Sequence, residues 1–269
     1  MKLYVAGKTD TGLVRSVNQD SYYIDPDERF FIVADGMGGH AGGQEASRLA
    51  TEAIKSYLIE NWDSDLPSSE LLEKAFYKAN NAILDDQMAN PERSDMGTTA
   101  VTIMFRGTEK PWCANIGDSR IYRFRGSHLD QITEDQTWVA QAVKRKALSP
   151  EQAKSHPWRH VLSQCLGRED MHDVEIKQVD FQGGDRLLLC SDGLTEEVPD
   201  TLIAKHLKIR SGELAVNALV EEAKKNGGRD NITVVIIALD THHNTLGEVQ
   251  NKSILMKKSS KIPSQSPVG

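Results

Sequence analysis

The chain has 269 residues, 39% hydrophobic and 26% charged, which is enough apolar content for one large core or two small ones. With 32 basic against 39 acidic side chains the formal charge is −7, which argues against nucleic acid or an anionic membrane as the main partner. No apolar run reaches the roughly 18 residues of a membrane span. The first residues carry no signal-peptide pattern, and three cysteines without C-x-x-C spacing exclude a disulfide scaffold and a cysteine-zinc site, so a cytoplasmic protein is expected.

Residues 1–240 alternate apolar runs with turn signals and are expected to form one domain. Residues 241–269 are rich in Ser, Lys, Asn, Gln and Pro and carry +3, against −10 for the rest, and they read as a basic disordered tail. Along the chain, apolar runs at 30–34, 100–105, 112–116, 121–124, 174–179, 187–190 and 232–239 predict strands. Residues 119–132 predict a hairpin turning at Arg125-Gly126-Ser127. Apolar residues recur at helical spacing over 44–62, 69–88 and 212–226, the last stopped by Gly227-Gly228. A shorter helix is expected after Ser149, with Pro150 at its first position and Gln152 completing a capping box. Between 98 and 132 the strands follow too closely for helical crossovers, so they must pair antiparallel. The class is α+β, an antiparallel core with helices packed outside.

The chemistry gathers where strands end. Asp35 follows the run 30–34, Asp118 follows 112–116, Asp192 follows 187–190, and Asp230 precedes 232–239. One such aspartate is usually a turn or cap residue. Four at strand tips, two of them in Asp-Gly pairs, repel one another unless a cation neutralises them, and oxygen-only ligands select Mg²⁺ or Mn²⁺. Residues 36–43 hold five glycines in eight. They match a dinucleotide fingerprint only formally, because no βαβ unit follows, and no Gly-Lys-Ser/Thr makes a P-loop. The loop reads instead as one that brings a backbone carbonyl, that of Gly36, to the metal. Arg15 lies five residues before another strand-start aspartate, Asp20, where a guanidinium would grip phosphate.

The segments Arg15…Asn18-Gln19-Asp20, Val33-Ala34-Asp35-Gly36-Met37-Gly38-Gly39-His40, Gly97-Thr98-Thr99-Ala100, Asn115-Ile116-Gly117-Asp118-Ser119-Arg120, Ser191-Asp192-Gly193-Leu194 and Gly228-Arg229-Asp230-Asn231-Ile232-Thr233 resemble, in order, the motifs of the metal-dependent (PPM, type 2C) Ser/Thr protein phosphatases. The resemblance covers about residues 3–240. It implies a β-sandwich of two antiparallel sheets flanked by helices on both sides, with a flap at about 139–165 near the metal site. It implies that Asp35 bridges two ions, that the Gly36 carbonyl joins one, that Asp192 and Asp230 bind the other, and that Asp20 holds metal-bound waters. Asp118 with Asp192 would take a third ion, and Arg15 would bind the substrate phosphate. The implied reaction is hydrolysis of phosphoserine or phosphothreonine by a metal-bridging hydroxide, without a phosphoenzyme. The cofactor would be Mg²⁺ or Mn²⁺, two core ions plus a third.

The glycine loop and the stretch His156-Pro157-Trp158-Arg159-His160 look most like small bacterial members, and are similar to the cyanobacterial phosphatase of the phosphorylated nitrogen-regulatory P-II protein. The resemblance therefore implies a monomeric signalling enzyme with a phosphoprotein substrate, the P-II protein among the candidates. Two positions depart from the pattern. Eukaryotic relatives place at Met37 a His proposed as the acid for the leaving group, which leaves His40 or a metal-bound water for that task. Gln136 stands where many bacterial members carry His. In the flap, Lys144–Lys146 are expected to attract an acidic phosphosegment. Trp158 either packs the flap onto the body or touches substrate, and His160 is expected to contact substrate. A non-catalytic phosphoprotein binder is disfavoured because no motif residue is lost, while a hydrolase of small phosphoesters stays open.

Overall fold

The computed structural model describes residues 3–39, 42–172 and 174–239. His40 and the segment 241–269, read above as a tail, lie outside the described residues. In chain order the elements begin with β1 (Leu3–Asp10), β2 (Asp20–Ile24), β3 (Phe30–Met37), α1 (Gly42–Glu60) and α2 (Ser68–Ala89). Then come β4 (Gly97–Thr98), β5 (Ala100–Met104), β6 (Trp112–Ile116), β7 (Arg120–Arg125), β8 (His128–Gln131), α3 (Trp138–Lys144) and α4 (Pro150–Lys154). The last are β9 (Glu175–Gln178), β10 (Arg186–Cys190), α5 (Asp192–Thr195), α6 (Asp200–His206), α7 (Gly212–Lys225) and β11 (Ile232–Leu239).

Two sheets form, with strand orders β1-β11-β10-β7-β8 and β2-β3-β5-β6-β9, β4 extending β3. Every pairing between named strands is antiparallel, as the short spacing between 98 and 132 requires. The expected hairpin is β7–β8, with Gly126 at φ 62° in its turn.

The packing explains why the central strands read as unbroken apolar runs. On β3, Phe30 and Ile32 face α1 and α2, while Phe31 and Val33 face the other sheet. On β10, Leu188 and Cys190 face the helices, while Leu187 and Leu189 meet Phe31, Val101 and Ile237 between the sheets. A strand covered on both faces has no polar side to alternate with. Three apolar layers result, and the architecture is helix–sheet–sheet–helix.

The three long helices lie within two residues of their expected ends. The capping box after Ser149 is present: Ser149 Oγ accepts from Gln152 N at 3.2 Å and Gln152 Oε1 accepts from Ser149 N at 2.8 Å. The strands without a sequence signal are β1, at a sheet edge and only partly buried, and the two-residue β4, while β2 was marked only by Asp20 at its start. The helices without one are α3, α5 and α6, with 7, 4 and 7 residues, too short to show a helical period.

Because Phe31 is fully buried between the sheets, Phe31→Ala should lower unfolding free energy by roughly 3–5 kcal/mol in urea titration. A loss under about 1 kcal/mol would mean that the inter-sheet layer contributes little, since ordinary exposed sites give changes of that size.

Candidate metal centre

Antiparallel topology brings the strand-end aspartates to one rim. Register pairs Asp20 at the start of β2 with Asp35 near the end of β3. Cys190, at the end of β10, pairs with Val234 on β11 and with Arg120 at the start of β7. Asp192, Asp230 and Asp118, each within two residues of those strand ends, therefore lie on the same side. Five carboxylates that span more than two hundred residues of sequence thus converge.

Asp20, Asp35 and the turn carrying Asp118 are held from behind. Asp20 Oδ2 accepts from Ser191 Oγ and from Thr233 Oγ1, both at 2.7 Å. Thr9 Oγ1 sits 2.7 Å from Thr233 Oγ1, and Asn18 Nδ2 donates to Thr9 Oγ1 at 2.7 Å. Asp35 is fixed through its backbone, since its N–H donates to Thr99 Oγ1 at 3.1 Å and its carbonyl accepts from Thr98 Oγ1 at 2.8 Å. Thr99 Oγ1 also meets Ser119 Oγ at 2.7 Å, linking the Asp35 strand to the Asp118 turn. Gly36 fills a space that admits no side chain, because a Cβ there would fall 1.9 Å from the Gly43 carbonyl oxygen. That close approach is what the glycine loop between β3 and α1 permits.

Arg15 reaches the cluster. Its Nη2 lies 2.8 Å from Asp230 Oδ2, and half of the side chain is exposed at the rim. The segment carrying it is clamped by Asn231, whose Nδ2 donates to the carbonyls of Thr11 and Val17 at 3.0 Å and whose Oδ1 accepts from Gln19 N at 2.8 Å. Asn231, Ser191 and Thr233 are site residues that the sequence reading did not single out, though all three lie inside the quoted motifs.

Gln136 now has a physical account. Its Oε1 accepts from Gly117 N at 2.9 Å and its N–H donates to the Gly117 carbonyl at 2.8 Å. It thus pins the turn that carries Asp118. Beside it Arg120 binds Asp135 through two hydrogen bonds, at 2.9 and 2.6 Å.

His160 is placed at the rim, its Nδ1 2.6 Å from Glu196 Oε1. Donor atoms of His160, Asp192 and Glu196 all lie within 4.8 Å of one another. Lys144 is bound to Glu134 at 2.9 Å, so the basic row of the flap is partly neutralised by the protein itself. Trp158 meets the rings of Trp138 and His156 edge-on.

The electrostatics are those of crowded anions. Burial first, then the charges of Asp20, Asp192, Asp118 and Asp230, hold the Asp35 carboxyl well above its usual range. Burial and the neighbouring Asp118 do the same to Asp192. Asp20 is pushed up to about 6, chiefly by burial against its hydrogen bonds, and Asp118 to about 7 by burial and then Asp135. Asp20 Oδ1 is buried and has no hydrogen-bond partner. A carboxylate oxygen so enclosed requires a proton or a cation. This donor set, all oxygen except for His160 at its edge, fits hard divalent ions.

These shifts predict a pH effect. The unfolded carboxylates ionise near 3.8, whereas the folded ones retain protons to about 6 and 7. Their contribution to stability is therefore full below about pH 4 and is lost as pH rises through 6–7. A cation that displaces those protons restores it, so the rise in Tm caused by Mn²⁺ should grow between pH 4 and pH 7.5 in scanning calorimetry. Asp35→Asn should raise the Tm of the EDTA-treated protein at pH 7.5 and abolish most of the Mn²⁺ response. An undiminished response in that variant would remove Asp35 from the site.

Among the described residues, no helix is long and apolar enough to cross a membrane, and the three cysteines are free and buried. The sequence profile of the protein phosphatase 2C family matches residues 14–225. The serine/threonine protein phosphatase PstP of Mycobacterium tuberculosis is 39% identical over 239 residues, which cover 87% of this chain and 44% of that protein. The chain thus spans less than half the length of that relative. The serine/threonine phosphatase stp of Listeria monocytogenes is 34% identical over 240 residues, 87% of this chain and 94% of that one. The crystal structure of the PstP catalytic domain in complex with two manganese ions has a TM-score of 0.77 at 36% identity, covering 88% of this chain and 97% of that one. On its motifs, its two-sheet architecture and these likenesses, the chain belongs to the protein phosphatase 2C family.

Proposed function

We propose that residues 1–240 form a divalent-metal-dependent protein phosphatase acting on phosphoserine and phosphothreonine. One observation carries the reading: Asp20, Asp35, Asp118, Asp192 and Asp230 converge on one rim, with a buried, unpartnered oxygen on Asp20 and one guanidinium, Arg15, at the edge. The relatives named as serine/threonine phosphatases, and the related structure holding two manganese ions, support it.

In this reading Asp35, the Gly36 carbonyl, Asp192 and Asp230 hold two core cations, Mg²⁺ or Mn²⁺. Asp20, held in place by the hydroxyls of Ser191 and Thr233, would hold waters bound to those cations. Asp118 and Asp192 would take a third ion, and donor atoms of His160 and Glu196 lie within 4.8 Å of Asp192. Bound there, the cations would supply water activation and Lewis-acid neutralisation of the phosphoryl oxygens. Arg15 does the rest of the recognition. Asp230 holds one arm of its guanidinium, and the exposed remainder of the fork meets phosphate oxygens. The bond broken is between phosphorus and the substrate oxygen, and no protein nucleophile is required. The buried thiols agree with that, since burial raises Cys113 and Cys190 to about 12 and Cys165 to about 11. Met37 carries no proton for the leaving alkoxide, so that proton would come from His40 or from a water held by the cations. Reduced, buried cysteines also favour a cytoplasmic setting. The phosphorylated P-II protein is a candidate substrate on the motif resemblance alone.

Phosphopeptide hydrolysis with EDTA and Mn²⁺ add-back tests the reading. Asp35→Ala and Asp192→Ala should each lose more than a hundredfold in kcat, about 2.7 kcal/mol of barrier, while circular dichroism stays native. Arg15→Ala should raise KM for phosphopeptide with a smaller change in kcat. Activity within tenfold of wild type in either aspartate variant, or in EDTA, would end the proposal.

A further inference from the structure

The flap is a lobe standing on two roots. Gln136 pins one root to the Asp118 turn, and a bridge between Leu166 and Thr98 holds the other. Between the roots, the polar bonds of residues 138–162 stay almost wholly local. Trp138 N–H donates to the Val161 carbonyl and Ala147 N–H to the Ala142 carbonyl, both at 2.8 Å, and Ser149 and Gln152 cap each other. Lys144 reaches only Glu134, at the flap's own root. Among the described residues, one hydrogen bond or ion pair joins 138–162 to a more distant element, that of His160 Nδ1 with Glu196 Oε1 at 2.6 Å.

That tie ends in a cluster of metal-ligating atoms. Asp192 opens α5 and Glu196 follows its last residue, with the Glu196 N–H bonded to the Asp192 carbonyl at 2.9 Å. Four residues apart on one helical turn, the two carboxylates share a face, and the flap brings the His160 imidazole to it. One donor atom from each of the three lies within 4.8 Å of the other two, the only such group of three or more His, Cys, Asp or Glu among the described residues. All three line a groove of about 1550 Å³, through which solvent and ions reach them. None of the groove's lysines and arginines is paired with Asp192 or Glu196, since Lys144 holds Glu134, Arg120 holds Asp135 and Arg229 holds Glu197.

A first-row divalent ion binds imidazole nitrogen and carboxylate oxygen at roughly 2.0–2.2 Å, so its donors stand up to about 4.4 Å apart. The His160 and Glu196 side chains are 42 and 31% exposed, and small rotations bring them to that spacing. The nitrogen sets this group apart from the oxygen-only carboxylates of the rim. Mg²⁺ favours oxygen and water, whereas Mn²⁺, Co²⁺ and Zn²⁺ accept imidazole.

We propose that His160, Asp192 and Glu196 form a further cation site, selective for first-row transition ions over Mg²⁺, and that the bound ion fastens the flap to α5. The ion takes the place of the proton between His160 and Glu196, which leaves to solvent. Asp192 gives one oxygen to it and keeps the other for the centre proposed above. The inference goes beyond the phosphatase reading and stands apart from it, because cation binding and flap attachment are measured without turnover.

The probe is Mn²⁺, added to the EDTA-stripped full chain and read by electron spin-echo modulation, which registers nitrogen bonded to the ion. Oxygen ligands alone give no such signal. Wild type should show imidazole-nitrogen modulation, His160→Ala should abolish it, and Glu196→Gln should raise severalfold the Mn²⁺ concentration that produces it, with circular dichroism checking that the variants fold. Limited trypsin digestion gives a second reading. Cleavage after Lys144, Arg145 and Lys146 should be severalfold slower in Mn²⁺ than in Mg²⁺ for wild type, and equal in the two ions for His160→Ala. Absence of nitrogen modulation in wild type, a measurement that needs no variant, would overturn the site, and so would its persistence in folded His160→Ala. Equal cleavage of wild type in the two ions would overturn the fastening of the flap.

Discussion

Repulsion among half-buried carboxylates at one rim of the sandwich is the constraint on which the rest of the structure depends. Asp20, Asp35, Asp118 and Asp192 sit where burial and the charges of neighbouring carboxylates disfavour ionisation. A fold selected for stability alone would replace several of them with neutral residues. Their retention in one place is understandable only if something of opposite charge belongs between them. Arg15 alone does not suffice, since its guanidinium meets Asp230 and leaves Asp20 Oδ1 without a partner.

The surrounding architecture meets that constraint by making the rim stiff. Hydroxyls from Ser191, Thr233 and Thr99 anchor Asp20 and Asp35 from strands of both sheets. The sandwich supplies this stiffness cheaply, because each strand end is already fixed by apolar packing on both faces. The same economy governs the elements that cover the rim. Asn231 spends its whole amide on the Arg15 segment, and Gln136 attaches the flap to the Asp118 turn. Chemistry and recognition are therefore mounted on shared anchor points, so residues without charge or nucleophilic character govern the position of those that have it.

In the flap, the tertiary structure adds partners that local composition does not show. Lys144–Lys146 read as a basic lure, yet Lys144 is bound by Glu134. Trp158 offered a choice between packing on the body and touching substrate, and its partners are other flap rings. His160 was expected at the substrate, and its nearest partner is Glu196, beside Asp192.

By itself the sequence determined the long helices, the covered strands, the antiparallel pairing and the aspartates that end those strands. These depend on periodicity, turn residues and run length, all of which are local. The family motifs likewise named Arg15, Asp20, Gly36 and the four strand-end aspartates from order and spacing. Only the tertiary structure decided which groups stand behind them. Ser191, Thr233, Asn231 and Gln136 act through hydrogen bonds to residues tens to hundreds of positions away in sequence, as from Thr233 to Asp20, and no local pattern marks such a bond. The edge strand β1, the extent of β2 beyond Asp20, the two-residue β4 and the short helices α3, α5 and α6 were also left to tertiary packing, because a partly exposed strand or a helix of one or two turns carries too few buried residues to show a period.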